Sequence, residues 1–191
     1  MKKIFNNISP AQIIIEFVSV VFAVLLALGL NSYKETKAMN SEAQKLRAAV
    51  LNEFRTNKVK IDSIILVNQD YFNYLDSLVK LDKEQVTFVQ FQYDLDLLTS
   101  AAWDLTQGNQ ATSLLSQKFL LEAAELYQAQ DFFTSFTSEM FKTVGQLIHN
   151  RESTPPYNTA VTLYYNMNIL MNAAKDLSYG YDTFLKDFSE N

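Results

Sequence analysis

The stretch IIIEFVSVVFAVLLALGLN, residues 13 to 31, is apolar except for Glu16 in its first turn, Ser19, and Asn31 at its end. As a helix, residues 11 to 30 would extend about 30 Å, the thickness of a bilayer's hydrocarbon core. The sequence therefore predicts a transmembrane helix at 11–31, a short flank at 1–10 and a helical bundle domain at 32–191. The competing reading is a cleaved signal peptide, because Met1, Lys2 and Lys3 lead into the apolar run. That run is long for a signal, however, and no clean small-x-small site precedes Asn31. Lys2 and Lys3 on one side nearly balance Lys34 and Lys37 on the other, so the positive-inside count decides little. A short basic start feeding straight into the span favours a signal-anchor with the carboxy-terminal body outside the cytoplasm.

Within the span, Ser19, Ala23, Ala27 and Asn31 recur every fourth residue, with Glu16 three before Ser19. On a helix all five share one side. Small residues at this spacing let helices approach closely, and polar groups on the same side can hydrogen-bond across the contact. This predicts a packed anchor. The alternative is that Glu16 marks the headgroup boundary, with the effective span starting at Phe17, since acids are costly only at depth.

Beyond the span no helix breaker intervenes, because the whole chain has only 4 Gly and 3 Pro. Val50, Phe54, Ile61, Ile64, Tyr71 or Phe72, Leu75 and Val79 form one helical stripe, so a single continuous helix is expected from about Ala11 to Leu81. Asn57 and Asn68 fall within that stripe. Either they fix register and oligomer state, as buried asparagines can, or the stripe is partly exposed there. A turn at Asp82 to Gln85 should precede a second helix on the stripe Phe88, Phe91, Leu95, Leu98, Ala102 and Leu105, ended at Gly108 and Asn109. Ser113 or Ser116 can cap a third helix, from Phe119 to about Asn150. After Arg151 to Pro156, with proline suited to a first helical turn, a fourth carries Leu163, Leu170, Ala174, Leu177, Tyr181, Phe184 and Phe188. The fold expected is all-α: an N-terminal transmembrane helix running into a long helix, and a bundle of about four helices with short connections.

The composition limits the chemistry. In 191 residues, 48% are hydrophobic and 19% charged, with a net charge of −5 and no long basic block, so no nucleic-acid partner is expected. No cysteine and one histidine rule out thiolate sites and a di-iron Glu-x-x-His pair. No nucleophile motif or phosphate loop is present, and no enzymatic activity, cofactor or metal is expected. His149 sits where a helix end favours a cation. Asp94 and Asp96 lack the glycine and distal glutamate of a calcium loop and read as solvent-facing. Pro155-Pro156-Tyr157 reads as a loop and helix start. Trp103, Tyr164, Tyr165, Tyr179 and Tyr181 read as core packing before a ligand pocket.

Two stretches carry a resemblance. IIIEFVSVVFAVLLALGLNSYKE and TSAAWDLTQGNQATSLLSQKFLLEAAELYQAQ together resemble a family of uncharacterised bacterial single-span membrane proteins, a domain of unknown function. The shared pattern is an acid entering the span, an exit of Asn31, Tyr33 and Glu35, an Ala-Trp helix end at Ala102 and Trp103, and Leu126, Tyr127 and Gln130. Tyr33 stands where the family usually has tryptophan, and Ile15 where it has glycine. The resemblance implies a single-pass protein of the bacterial inner membrane with its body in the periplasm, and it brings no activity. The expected role is a non-enzymatic scaffold or assembly subunit in the lipid bilayer, within a homo-oligomer or a membrane-protein complex. Two alternatives are a periplasmic ligand-sensing bundle acting through a separate partner, its small-molecule ligand unknown, and an accessory ion-pathway subunit using Glu16.

Overall fold

A computed structural model describes residues 10–92 and 94–189, with side chains from residue 14 onward. Lys2 and Lys3, on which the orientation rests, lie outside the described residues. Among the described residues there are four helices: α1 (Pro10–Val79), α2 (Ala101–Gln107), α3 (Gln117–His149) and α4 (Pro156–Ser189), with 3₁₀ turns at Lys83–Gln85 and Gln110–Leu114. Among the described residues there is no strand. The all-α architecture with a long apolar amino-terminal helix is as the sequence predicts.

α1 runs 70 residues without a break, about 105 Å. From Ala43 its buried positions follow a spacing of three and four: Phe54, Asn57, Ile61, Ile64, Asn68, Tyr71 and Leu75. α4 repeats the pattern through Leu163, Met167, Leu170, Ala174, Leu177, Tyr181, Phe184 and Phe188. Each helix thus presents one stripe, and burying the stripes against each other drives assembly. α4 runs antiparallel to α1, as three contacts show. Phe72 stacks on Tyr164 at 5.5 Å, Ser178 donates to Asp62 at 2.6 Å, and Arg47 donates to the Phe188 carbonyl at 2.7 Å. α3 completes the set against α4. At that contact Gly180 has no side chain because Leu126 Cδ2 lies 2.6 Å from where a Cβ would be.

Local signals explain most boundaries. The Ser116 hydroxyl accepts from the Phe119 amide and caps α3, and α4 begins at Pro156, whose missing N–H costs nothing in a first turn. Gly108 ends α2 with φ −85°, so its left-handed freedom is not used, and Asn109 caps the following 3₁₀ turn.

The expected second helix is the main correction. Among the described residues only 101–107 of it are helical, and 86–92 and 94–100 form an extended strap along α1. Val86 and Val89 are buried, with Phe91, Leu95 and Leu98 half-buried. Two β-branched and two aromatic residues, Val86, Val89, Phe88 and Phe91, weaken helix formation at its start. The helix-like spacing is kept only in part: Phe91, Leu95 and Leu98 are half-buried, but Val86 and Val89 are buried in place of Phe88, which is exposed. The bundle is therefore three long helices and the short α2, which the strap leads into.

Candidate functional site

An extended strap inside a bundle must satisfy backbone groups that a helix would satisfy itself. Here α1 does it with side chains. Asn57 accepts from the Thr99 amide at 3.1 Å and donates to the Thr99 carbonyl at 2.8 Å. Asn68 makes the same pair with Asp94, accepting from its amide at 3.0 Å and donating to its carbonyl at 2.6 Å. Tyr71 donates to the Gln90 carbonyl at 2.8 Å, while the Gln90 amide donates to Tyr74 at 3.1 Å. Lys60 donates to the Leu97 carbonyl at 2.5 Å.

The register follows from pitch. Asn57 and Asn68 are 11 residues apart on a helix, and Thr99 and Asp94 are 5 apart on an extended chain. Both intervals are about 16 Å at the rises of the two conformations. Asn57 and Asn68 are thus buried, at 0% and 1% exposure, and the register they fix is that of the strap within the chain.

Around Asn57 the strap, α1, α3 and α4 meet. Gln130 of α3 accepts from Asn57 at 2.9 Å and donates to the Thr99 carbonyl at 3.0 Å. Tyr181 of α4 donates to the same Gln130 oxygen at 2.7 Å. One turn down, Glu53 accepts from Tyr127 at 2.6 Å, from the Thr99 hydroxyl at 3.0 Å and from the Ala102 amide at 3.1 Å. Trp103 stacks on Tyr127 at 5.1 Å. Burial, then the Glu53 carboxylate beside it, pushes the Tyr127 phenol well above its ordinary value, and burial does the same to Tyr181. No buried side-chain N or O among the described residues lacks a partner. Such a closed network rigidifies and specifies a packing; it offers no free base or nucleophile.

Sequence reasoning missed Glu53, Thr99 and Gln130 as one constellation. The available signal was the 11-residue spacing of the two asparagines, three helical turns, which places both on one line of the helix. Trp103 of α2 and Tyr127 and Gln130 of α3 meet here although they come from two helices.

The other residues singled out lie elsewhere. Glu16, Ser19, Ala23, Ala27 and Asn31 fall on one unbroken helix, all exposed among the described residues. Asn31 donates to Glu35 at 2.7 Å, one turn on. α1 is long and apolar enough to cross a membrane: its most apolar window has a mean hydropathy of 2.3 and is 0% buried. Asp94 and Asp96 face solvent, and His149 is the exposed last residue of α3. Tyr164 and Tyr181 pack in the core, while Tyr165 and Tyr179 are exposed. No cluster of three potential metal ligands occurs among the described residues. Compared with known proteins, the chain matches no family model, no curated protein and no solved structure.

Proposed function

We propose that this chain is a membrane-anchored, non-enzymatic scaffold or assembly subunit. Its span lies in a bacterial inner membrane, its bundle stands in the periplasm, and its anchor packs against another span, of a second copy or of a partner complex. The observation that carries this reading is the bare start of α1. Every side chain from Ile14 to Ser41 is exposed although its first part, Ile14 to Leu30, is strongly apolar, and a surface of that kind needs lipid or protein around it. The same helix continues without a break into the core, so the bundle is held at a fixed distance from the membrane. The face of Glu16, Ser19, Ala23, Ala27 and Asn31 is the side offered to a neighbouring span. Membership of the single-span family that the sequence resembles belongs to this proposal.

The test is crosslinking in native membranes, gentle extraction and identification of what is recovered. Ala23→Leu or Ala27→Leu should disrupt the recovered assembly, while Leu25→Ala, on another side of the helix, should not. Equal effects of all three would remove the small-residue face, and recovery of an isolated monomer would remove the scaffold reading.

A further inference from the structure

At the far end of α1, roughly 70 Å along the helix from Asn31, the strap, the end of α3 and the start of α4 enclose a cavity of about 150 Å³. Its walls divide by chemistry. Phe88, Val89 and Leu147 make an apolar side, and Arg151, Thr154 and Thr159 make a polar one. Two polar groups stand out. Arg151 is held 4.8 Å over the Phe88 ring and has no carboxylate partner among the described residues. Thr159 is 6% exposed, and its hydroxyl has no hydrogen-bond partner among the described residues; since no fully enclosed side-chain oxygen among them is unpartnered, this hydroxyl is reached by solvent, and Thr159 lines the cavity. A threonine in a helix can bond back to the carbonyl four residues earlier; this one does not, although its amide bonds to Pro155. The first turn of α4 carries no acidic residue, so the positive end of that helix is not offset locally.

We propose that this cavity is a binding site for a small monocarboxylate with a compact apolar body. Arg151 neutralises the carboxylate, the Thr159 and Thr154 hydroxyls donate to its oxygens, and the apolar body lies against Phe88, Val89 and Leu147. The size agrees, since an apolar cavity of about 150 Å³ holds benzene. This site goes beyond the scaffold reading and gives the bundle a ligand chemistry of its own. Its occupancy and the packing of the anchor are separately measurable, being at opposite ends of α1.

The experiment is calorimetric titration and thermal melting of the purified full chain in detergent, with benzoate and butyrate as probes, and with benzamide and inorganic phosphate as comparisons. Benzoate or butyrate should bind saturably and raise the melting temperature. Benzamide, which keeps the body and loses the charge, and phosphate, which keeps the charge and loses the body, should each bind at least about tenfold more weakly. Arg151→Gln should weaken benzoate roughly tenfold or more, and Thr159→Val severalfold, with the ligand-free melting of the Arg151 variant unchanged because that side chain is exposed. No saturable carboxylate binding, phosphate binding as tight as benzoate, or benzoate binding indifferent to Arg151→Gln would each overturn the proposal.

Discussion

α1 is one helix in two surroundings. From Ala43 to Val79 it carries a narrow buried stripe, and the polar residues within that stripe, Asn57 and Asn68, spend their amides on the strap. From Ile14 to Ser41 every side chain is exposed, as far as Leu30 the apolar residues go all the way round, and Glu16 and Ser19 find no partner among the described residues. The difference teaches what each half is built to meet. An amphipathic half is completed by its own chain, whereas a half apolar on all sides calls for a medium or a neighbour. Polar groups are placed in both halves: Asn57 and Asn68 are satisfied by the strap, Asn31 only by Glu35 one turn on along the same helix, and Glu16 and Ser19 by nothing among the described residues.

The comparison breaks most sharply at Asn57. Asn57→Leu leaves the part-buried Thr99 amide without its acceptor and removes one donor from the Thr99 carbonyl and, inside the core, one from Gln130. A loss of about 3 kcal/mol is expected, from a cost of about 1–3 kcal/mol for each buried group left unsatisfied. Asn68→Leu should cost about 2 kcal/mol by the same argument. Urea denaturation measures both, and hydrogen exchange should quicken at the Thr99 and Asp94 amides. Asn31→Leu, in the bare half, should leave the bundle's denaturation where it is. Equal losses at positions 31 and 57 would mean that the two halves do not differ as described.

Alkaline pH sharpens the same contrast. Tyr127 and Tyr181 titrate above their ordinary value of 10.0 in the folded chain, because burial and, for Tyr127, Glu53 oppose the phenolate. The stabilisation tied to each proton is therefore full below pH 10 and declines as pH rises above it, when the unfolded chain loses the proton first. The slope is about 1.4 kcal/mol per pH unit for each such tyrosine. Tyr181→Phe should flatten the decline above pH 10, which melting curves taken at a series of alkaline pH values would show.

Much of this was legible in the sequence. The apolar run, the stripes of α1, α3 and α4, the Ser116 cap and the Pro156 start all follow from local rules that need no partner. The strap did not, since residues 86–100 carry a helix-like spacing, and 86–92 and 94–100 are extended only because Asn57, Asn68, Tyr71 and Tyr74 take over their backbone hydrogen bonds. Such a conformation is set by tertiary contacts, and periodicity alone reads it as helix. The site was half legible for the same reason. The two asparagines were conspicuous in an apolar stripe, but Glu53, Thr99 and Gln130 acquire their meaning only where α1, the strap and α3 meet.

The junction between the halves gives a further, smaller effect. Ala38 lies in the exposed stretch just before the first buried position. Ala38→Pro removes one helical hydrogen bond and kinks the helix locally, yet it disturbs no packed contact, so the bundle's melting transition should barely move. What should change is the reach of the rod. Spin labels on cysteines replacing Val24 and Leu66, both exposed in a chain with no cysteine of its own, should report about 63 Å between attachment points in the parent. The distribution should be narrow there and shorter and broader in the proline variant. A broad distribution in the parent would remove the fixed spacing between anchor and bundle.

The smallest effect belongs to the surface of the packed half. Lys58 lies 2.6 Å from Asp62 and 3.3 Å from Asp182, and Ser178 donates to Asp62. For Asp62, partial burial favours the neutral acid, but hydrogen bonds from Lys58 and Ser178 outweigh it and hold the carboxyl below its usual range. A depressed folded value means that this contribution is complete above the unfolded value and fades as pH falls through the folded one, below about pH 4. Because Asp62 is nearly half exposed, solvent screens the pair, and Asp62→Asn should cost only about 0.5 kcal/mol at neutral pH. Denaturation at pH 7 and pH 3 should show that small deficit shrinking at the lower pH as the parent carboxyl takes up its proton. A cost comparable to that of Asn57→Leu would place a surface ion pair, against expectation, among the contacts that define the packed half.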